Sequence, residues 1–263
     1  MSTDICQQLS EYYIQSGIHP NNFRCPNQDQ CRRHAANRNM TEAKMSMVGS
    51  QYGEIYPKIV VVSLDPPSEK KDKFTPPHKR TMEYVTATHE AEDYTDTHKR
   101  NKRLNPHWAM TNIIVKDVLI LFGYEAKPRA AVVEESYSEH PIENVTSYFA
   151  HVNVAKCSMN RSDKRQAPRI VHKTCSDDYL EDELAILQPE ILITQGKTTN
   201  EIMGHMLIGD IIIENDLPTA KEVEVGENSV LWLPMRHPTQ QLAKIRDDWP
   251  CYENAVTKWS KSD

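Results

Sequence analysis

An acid, an amide and an imidazole each sit where an apolar run of this chain gives out. Asp65 follows KIVVVS at 58–63 and is itself followed by Pro66 and Pro67; Asn153 lies near the end of YFAHVNV at 148–154; His237, followed by Pro238, comes after SVLWLP at 229–234. A core strand has no need of a carboxylate at its exit, and three polar groups at corresponding strand ends make a set able to do chemistry. A fixed anion stabilises positive charge that develops in a transition state, and an N–H donor stabilises negative charge on a leaving group. Cysteine adds a second set. Cys25 and Cys31 lie in RCPNQDQCRRH, Cys157 and Cys175 flank a basic stretch, and Cys6 and Cys251 stand apart. In a reducing compartment such residues are thiols or metal ligands rather than disulfides.

Other motifs fail on inspection. LITQGKTTNEI at 192–202 runs a strand into Gly-Lys-Thr and a helix, but the glycine a phosphate loop needs five residues before Gly196 is Ile191. A tight strand-to-helix turn accounts for Gly196. No HExxH, GxSxG or GxGxxG occurs, so zinc proteases, serine-elbow hydrolases and dinucleotide enzymes lose their usual support, and no nucleotide cofactor is expected.

The elements that must position these residues follow from periodicity. Apolar runs at 58–63, 148–154, 190–195 and 229–234 read as buried parallel strands. Helical patterns separate them. One runs from Pro106 to Phe122, capped by Asn105 and stopped at Gly123; a second begins at Thr174, with Asp177 three residues on, and closes at Pro189; a third follows Gly196. Alternation of this kind predicts an α/β fold, a three-layer α/β/α sandwich around a central, mainly parallel four-stranded sheet, with ligands at the carboxyl ends of the strands. One domain over 1–263 is expected, with a polar extension at 1–57 and a charged insertion at 66–105, both read as loop-rich.

Hydrophobic residues make up 38% of the 263 and the mean hydropathy is −0.65, and no apolar run approaches the length of a membrane helix, so no membrane partner and a cytoplasmic monomer are expected. The net charge of −6 does not exclude a polyanion, because salt screens surface charge beyond about 10 Å and local patches decide. HKRNKR at 98–103 and NRSDKRQAPR at 160–169 are such patches, while acid gathers in EAED, EE and DDYLEDE.

In order, SLDPP, NVAKCSMNR, CSDDYLEDELAILQPEILITQG and RHPTQQL resemble the motifs of the uracil-DNA glycosylase superfamily, especially its iron–sulfur branch. The resemblance covers about residues 58–65 and 148–256. It implies a monofunctional DNA glycosylase, since no lysine in these motifs suggests a Schiff-base nucleophile. Asp65 would stabilise the sugar cation and orient water, His237 would donate to the departing base, and Asn153 would read the flipped base; an amide can turn over to match a uracil-like or a cytosine-like edge. Arg161, Lys164, Arg165 and Arg169 would hold phosphates, and Gln240, Gln241 and Leu242 would enter the duplex, with Leu242 as the wedge. Cys25, Cys31, Cys157 and Cys175 would ligate a structural [4Fe-4S] cluster, with zinc as the alternative and five residues between the first pair where the family more often has two. The phenylalanine that stacks on the base in the family has no counterpart here; Phe74, Tyr84, Tyr94 and Trp108 are the substitutes available. The substrate implied is uracil or a modified pyrimidine in DNA. A bulky modified cytosine, such as the glucosylated hydroxymethylcytosine of phage DNA, is an alternative that would place the enzyme in defence. A DNA- or base-binding module and an enzyme acting on free nucleosides are the readings from other classes.

Overall fold

The computed structural model describes residues 2–35, 39–69, 74–92, 105–126, 141–142, 144–160, 166–208, 219–239 and 242–261. Its sheet strands are β1 (Met47–Val48), β2 (Ile59–Ser63), β5 (Phe149–Asn153), β6 (Ile191–Gln195), β7 (Lys221–Val225) and β8 (Asn228–Met235), and a separate pair is formed by β3 (Glu125–Ala126) and β4 (Pro141–Ile142). The helices are α1 (Ser2–Gln15), α2 (Gln28–His34), α3 (Met82–Glu90), α4 (Pro106–Leu121), α5 (Arg169–Cys175), α6 (Glu181–Leu187), α7 (Lys197–Ile208) and α8 (Leu242–Trp259).

The α/β class holds, but the sheet is larger and mixed. Its order is β1-β5-β2-β6-β8-β7, in which the four expected strands are mutually parallel and β1 and β7 add antiparallel edges. The edges escape a reading of apolar runs for physical reasons. β1 is two residues long, and β7 is KEVEV, polar on its outward face. A short edge is also a protected one: the Thr86 hydroxyl of α3 donates to the Val48 carbonyl at 3.0 Å and accepts from the Val48 N–H at 3.2 Å, closing the ladder.

Side chains alternate across the central strands and build a core on each face. Val60, Val62, Val152, Leu192 and Trp232 pack on the side of α1, α5, α6 and α7; Ile59, Val61, Phe149, Ile193 and Leu233 pack against α4 and α8. The register sets Ser63 beside Asn153 and Gln195 beside Met235, so the strand ends form one polar row.

Helix boundaries follow local chemistry. Asn105 caps α4 by accepting from the His107 N–H at 3.0 Å, and Pro106 takes the first helical position, where its missing N–H costs nothing. The second helix starts earlier than expected. Pro168 precedes α5 at Arg169, and the helix continues through a π-helical turn, Ser176–Leu180, into α6, so Thr174 lies inside rather than at a cap. Nor is 1–57 a polar loop. Leu9, Tyr13, Ile18, Met45 and Tyr52 are buried, and α1 packs on α6.

What fastens this segment is a buried ion pair. Glu183 of α6, fully buried, pairs with Lys156 and accepts from the hydroxyls of Tyr13 and of Ser46, the latter at 3.2 Å; Lys156 also donates to the Asn153 carbonyl at 2.8 Å. Burial pushes the carboxyl up and the ammonium down, and their contact with each other offsets both tendencies. Removing one partner would strand the other. Glu183→Ala is therefore expected to destabilise the fold by about 3–5 kcal/mol, read as a shift in the urea midpoint at constant slope. A loss under about 1 kcal/mol would mean that Lys156 finds other partners.

Candidate active site

The row of strand ends is where the sequence placed its chemistry, and three of its residues are brought to that edge. Asp65 lies two residues beyond Ser63, its side chain only 14% exposed. Its Oδ1 is 2.8 Å from Nε2 of the buried His172, on α5, and its Oδ2 accepts from the Ala167 N–H at 3.2 Å. The carboxylate is thus held by two donors, with lone pairs to spare for a water. Nδ1 of His172 is buried without a partner, a cost tolerated where the other nitrogen has a task.

Asn153 ends β5, 9% exposed. Its carbonyl is tied to Lys156, but its side-chain amide has no hydrogen-bond partner among the described residues. An amide in that condition is available to a ligand.

His237 follows β8. Two anchors fix the approach to it: Arg236 Nε contacts Asp248 Oδ2 of α8 at 2.7 Å, and the Tyr252 hydroxyl donates to the Pro234 carbonyl at 2.7 Å. Gly196 lies against the ring. A Cβ added there would sit 3.6 Å from His237 Cβ and Cδ2, and its φ of +102° is one that glycine alone adopts at no cost. The Thr239 N–H donates to His237 Nδ1 at 3.3 Å, which makes Nε2 the protonated nitrogen of the neutral ring. Burial lowers the pKa of this imidazole, favouring that neutral form.

Sequence reasoning missed the polar wall behind these groups. Ser63 Oγ lies 2.9 Å from His151 Nε2 and 3.2 Å from His107 Nε2, and donates to Gln195 Oε1 at 3.2 Å; Gln195 Nε2 donates to Thr111 at 3.0 Å. The His107 and His237 rings are 5.5 Å apart, and Trp108 stacks on His89 at 3.7 Å with His151 4.5 Å away on its other contact. Trp108 is thereby committed to the interior. Phe74 and Tyr84 are exposed, and Tyr94 lies outside the described residues. One signal was available in the sequence: His151 and Asn153, two apart on β5, must share a face.

The four thiols lie around one pocket. Cys25, Cys31 of α2, Cys157 and Cys175 of α5 line one cavity with Tyr179 and Lys156, and the Tyr179 hydroxyl is 3.1 Å from Cys25 Sγ. Among the described residues no three His, Cys, Asp or Glu side chains are close enough to hold a single ion. Burial raises the thiols, Cys31 to about 11 and Cys175 to about 12, so a bound cation would have to displace their protons. Cys6 and Cys251 take no part in this cavity.

Of the proposed DNA contacts, Arg169 opens α5 and is exposed. Arg161, Lys164, Arg165, Gln240 and Gln241 lie outside the described residues, as does HKRNKR; Leu242 opens α8, its side chain also outside them. No helix among the described residues is long and apolar enough to cross a membrane. No protein-family model and no curated protein matches the chain.

The histidines carry a pH signature. Burial lowers His89 to about 3 and His107 to about 4, with His151 well below its ordinary value. The unfolded chain protonates them near pH 6.5 and the fold resists, so their contribution is intact above 6.5 and is lost as pH falls toward 4. Each imidazole adds about 1.4 kcal/mol of lost stability per pH unit in that window. Urea titrations at pH 7, 6 and 5 should show the decline before most carboxylates titrate, and a flat profile over that range would contradict neutral burial.

Proposed function

We propose that the chain is a monofunctional DNA glycosylase that hydrolyses the N-glycosidic bond of a flipped-out pyrimidine in DNA and leaves an abasic site. The observation that carries this reading is the row itself: a doubly held carboxylate, an unpartnered amide and an imidazole with Nε2–H, at the carboxyl ends of β2, β5 and β8. Their chemistry is complementary to such a reaction. As the bond breaks, positive charge develops on the sugar and negative charge on the base. Asp65 stabilises the first and orients the attacking water, and His237 donates to the base oxygen that gains the second. Asn153 holds the base edge while the nucleotide is out of the stack. His172 acts through Asp65 as a positioning residue, directing one oxygen away from the water. The resemblance of the motifs to the uracil-DNA glycosylase superfamily supports the same assignment, with DNA held by exposed basic residues such as Arg169.

Four cysteines lining one cavity are the donor set of a [4Fe-4S] cluster, one thiolate for each corner. Cys25, Cys31, Cys157 and Cys175 would hold it, and it would supply a structural cross-link rather than a step of the hydrolysis. Zinc on the same thiols is the competing occupant.

The test is a panel of DNAs carrying uracil, hypoxanthine, hydroxymethylcytosine and its glucosylated form, with released bases identified by mass spectrometry. Single-turnover rates should fall at least about tenfold in Asp65→Asn and in His237→Ala. His172→Leu should also slow the reaction, because it removes the donor that holds Asp65 Oδ1, and should lower the melting temperature because that oxygen is left without its partner. Unchanged rates in Asp65→Asn and His237→Ala would remove these groups from the mechanism. Anaerobic preparations should be brown with about four irons per chain, and Cys157→Ser should lose both colour and iron; a colourless protein containing zinc would replace the cluster.

A further inference from the structure

Ser63 Oγ has one hydrogen and three polar neighbours. Gln195 Oε1 can only accept and takes the Ser63 hydrogen at 3.2 Å; with the hydrogen so placed, His151 and His107 each donate to Ser63 through Nε2. In a neutral imidazole that leaves Nδ1 of His107 as a bare acceptor. It has no partner among the described residues and, unlike His172 Nδ1, it is not sealed from solvent. His237 has the opposite polarity, its Nδ1 engaged by the Thr239 N–H and its Nε2 carrying the hydrogen. The two rings are 5.5 Å apart. His107 Nε2 is 3.2 Å from Ser63 Oγ, and Ser63 is the register partner of Asn153, so the His107 ring stands at the same sheet edge as the unpartnered amide and His237.

We infer that His107 is a second base-reading imidazole, whose Nδ1 accepts a hydrogen bond from an N–H of the flipped base while His237 donates to a base oxygen. This deepens the glycosylase reading and rests on it. The pair demands a base edge that presents a donor beside an acceptor. Uracil supplies this with N3–H beside O2, and cytosine derivatives with the N4 amino group; the shared requirement is the N–H, and methyl probes separate its sources. The low pKa of His107 keeps the acceptor lone pair available across the physiological range.

The experiment is a chemical double-mutant cycle. Wild type and His107→Ala are compared on DNA carrying uracil or 3-methyluracil, and 5-hydroxymethylcytosine or its N4,N4-dimethyl form. Base release is measured in single turnovers and duplex binding by fluorescence anisotropy. Methylating the base that is read should cost wild type about 10- to 100-fold, and should cost His107→Ala almost nothing further. His107→Gln, which keeps an acceptor, should recover part of the discrimination. The arm that shows the coupling identifies the donor as N3–H or as the amino group. Equal methyl penalties in wild type and His107→Ala, at matched melting temperatures, would overturn the inference. If no base is released but binding shows the coupling, the glycosylase reading falls and the role of His107 stands; if binding by wild type is insensitive to methylation as well, the role of His107 falls.

Discussion

The buried pair between Lys156 and Glu183 is the interaction on which most of the rest depends. It joins three parts of the chain that sequence places far apart: the amino-terminal segment through Tyr13 and Ser46, α6 through Glu183 itself, and the exit of β5 through the Asn153 carbonyl. The Lys156 backbone also bonds to Cys175, so the same residue borders the thiol cavity. A buried ion pair is rarely the most stable filling for a core, because desolvation consumes much of what the attraction supplies. What it provides here is a fixed relation between Asn153 and the cysteine-lined cavity, since neither charge can move without losing its partner.

On the opposite face the polar side chains follow a different rule. His107, His151, Ser63, Gln195 and Thr111 carry no net charge and are joined by hydrogen bonds, which lets them sit beside Phe149 and Trp108 without the cost of a buried ion. A neutral wall also gives rings definite donor and acceptor ends, because each imidazole nitrogen takes its state from the bond made by the other. The Lys156–Glu183 pair lies on the α6 side of the sheet and the uncharged wall on the α4 side, and Asn153 is joined to the first through its carbonyl.

Much of this was legible in the sequence. The four buried strands announce themselves as β-branched runs, α4 by its Asn-Pro start, Gly196 by the turn it must make, and the grouping of Cys25 and Cys31 with Cys157 and Cys175 by the motifs around the later pair. The misses share a cause, which is that they depend on neighbours remote in sequence. KEVEV becomes a strand only because β8 offers an edge. DDYLEDE reads as a solvated acidic face, yet Glu183 within it is fully buried because Lys156 and Tyr13 come to meet it. The histidine wall is dispersed over α3, α4 and β5, and only the parallel register and the seating of α4 assemble it. Asp65 was correctly placed at a strand end, but its partner His172 was invisible, since the helix carrying it starts at Arg169 and not at Thr174.

The thiol cavity has a consequence for how the molecule is made. Two of its cysteines precede every strand of the sheet in the chain, and two arrive only after β5 has been synthesised. During translation Cys25 and Cys31 must wait as exposed thiols on an unfinished chain, without the sheet that will bury them. Any occupant held by all four can be installed only once Cys175 has emerged, so maturation of this site follows synthesis of the β5 half of the sheet and cannot template it.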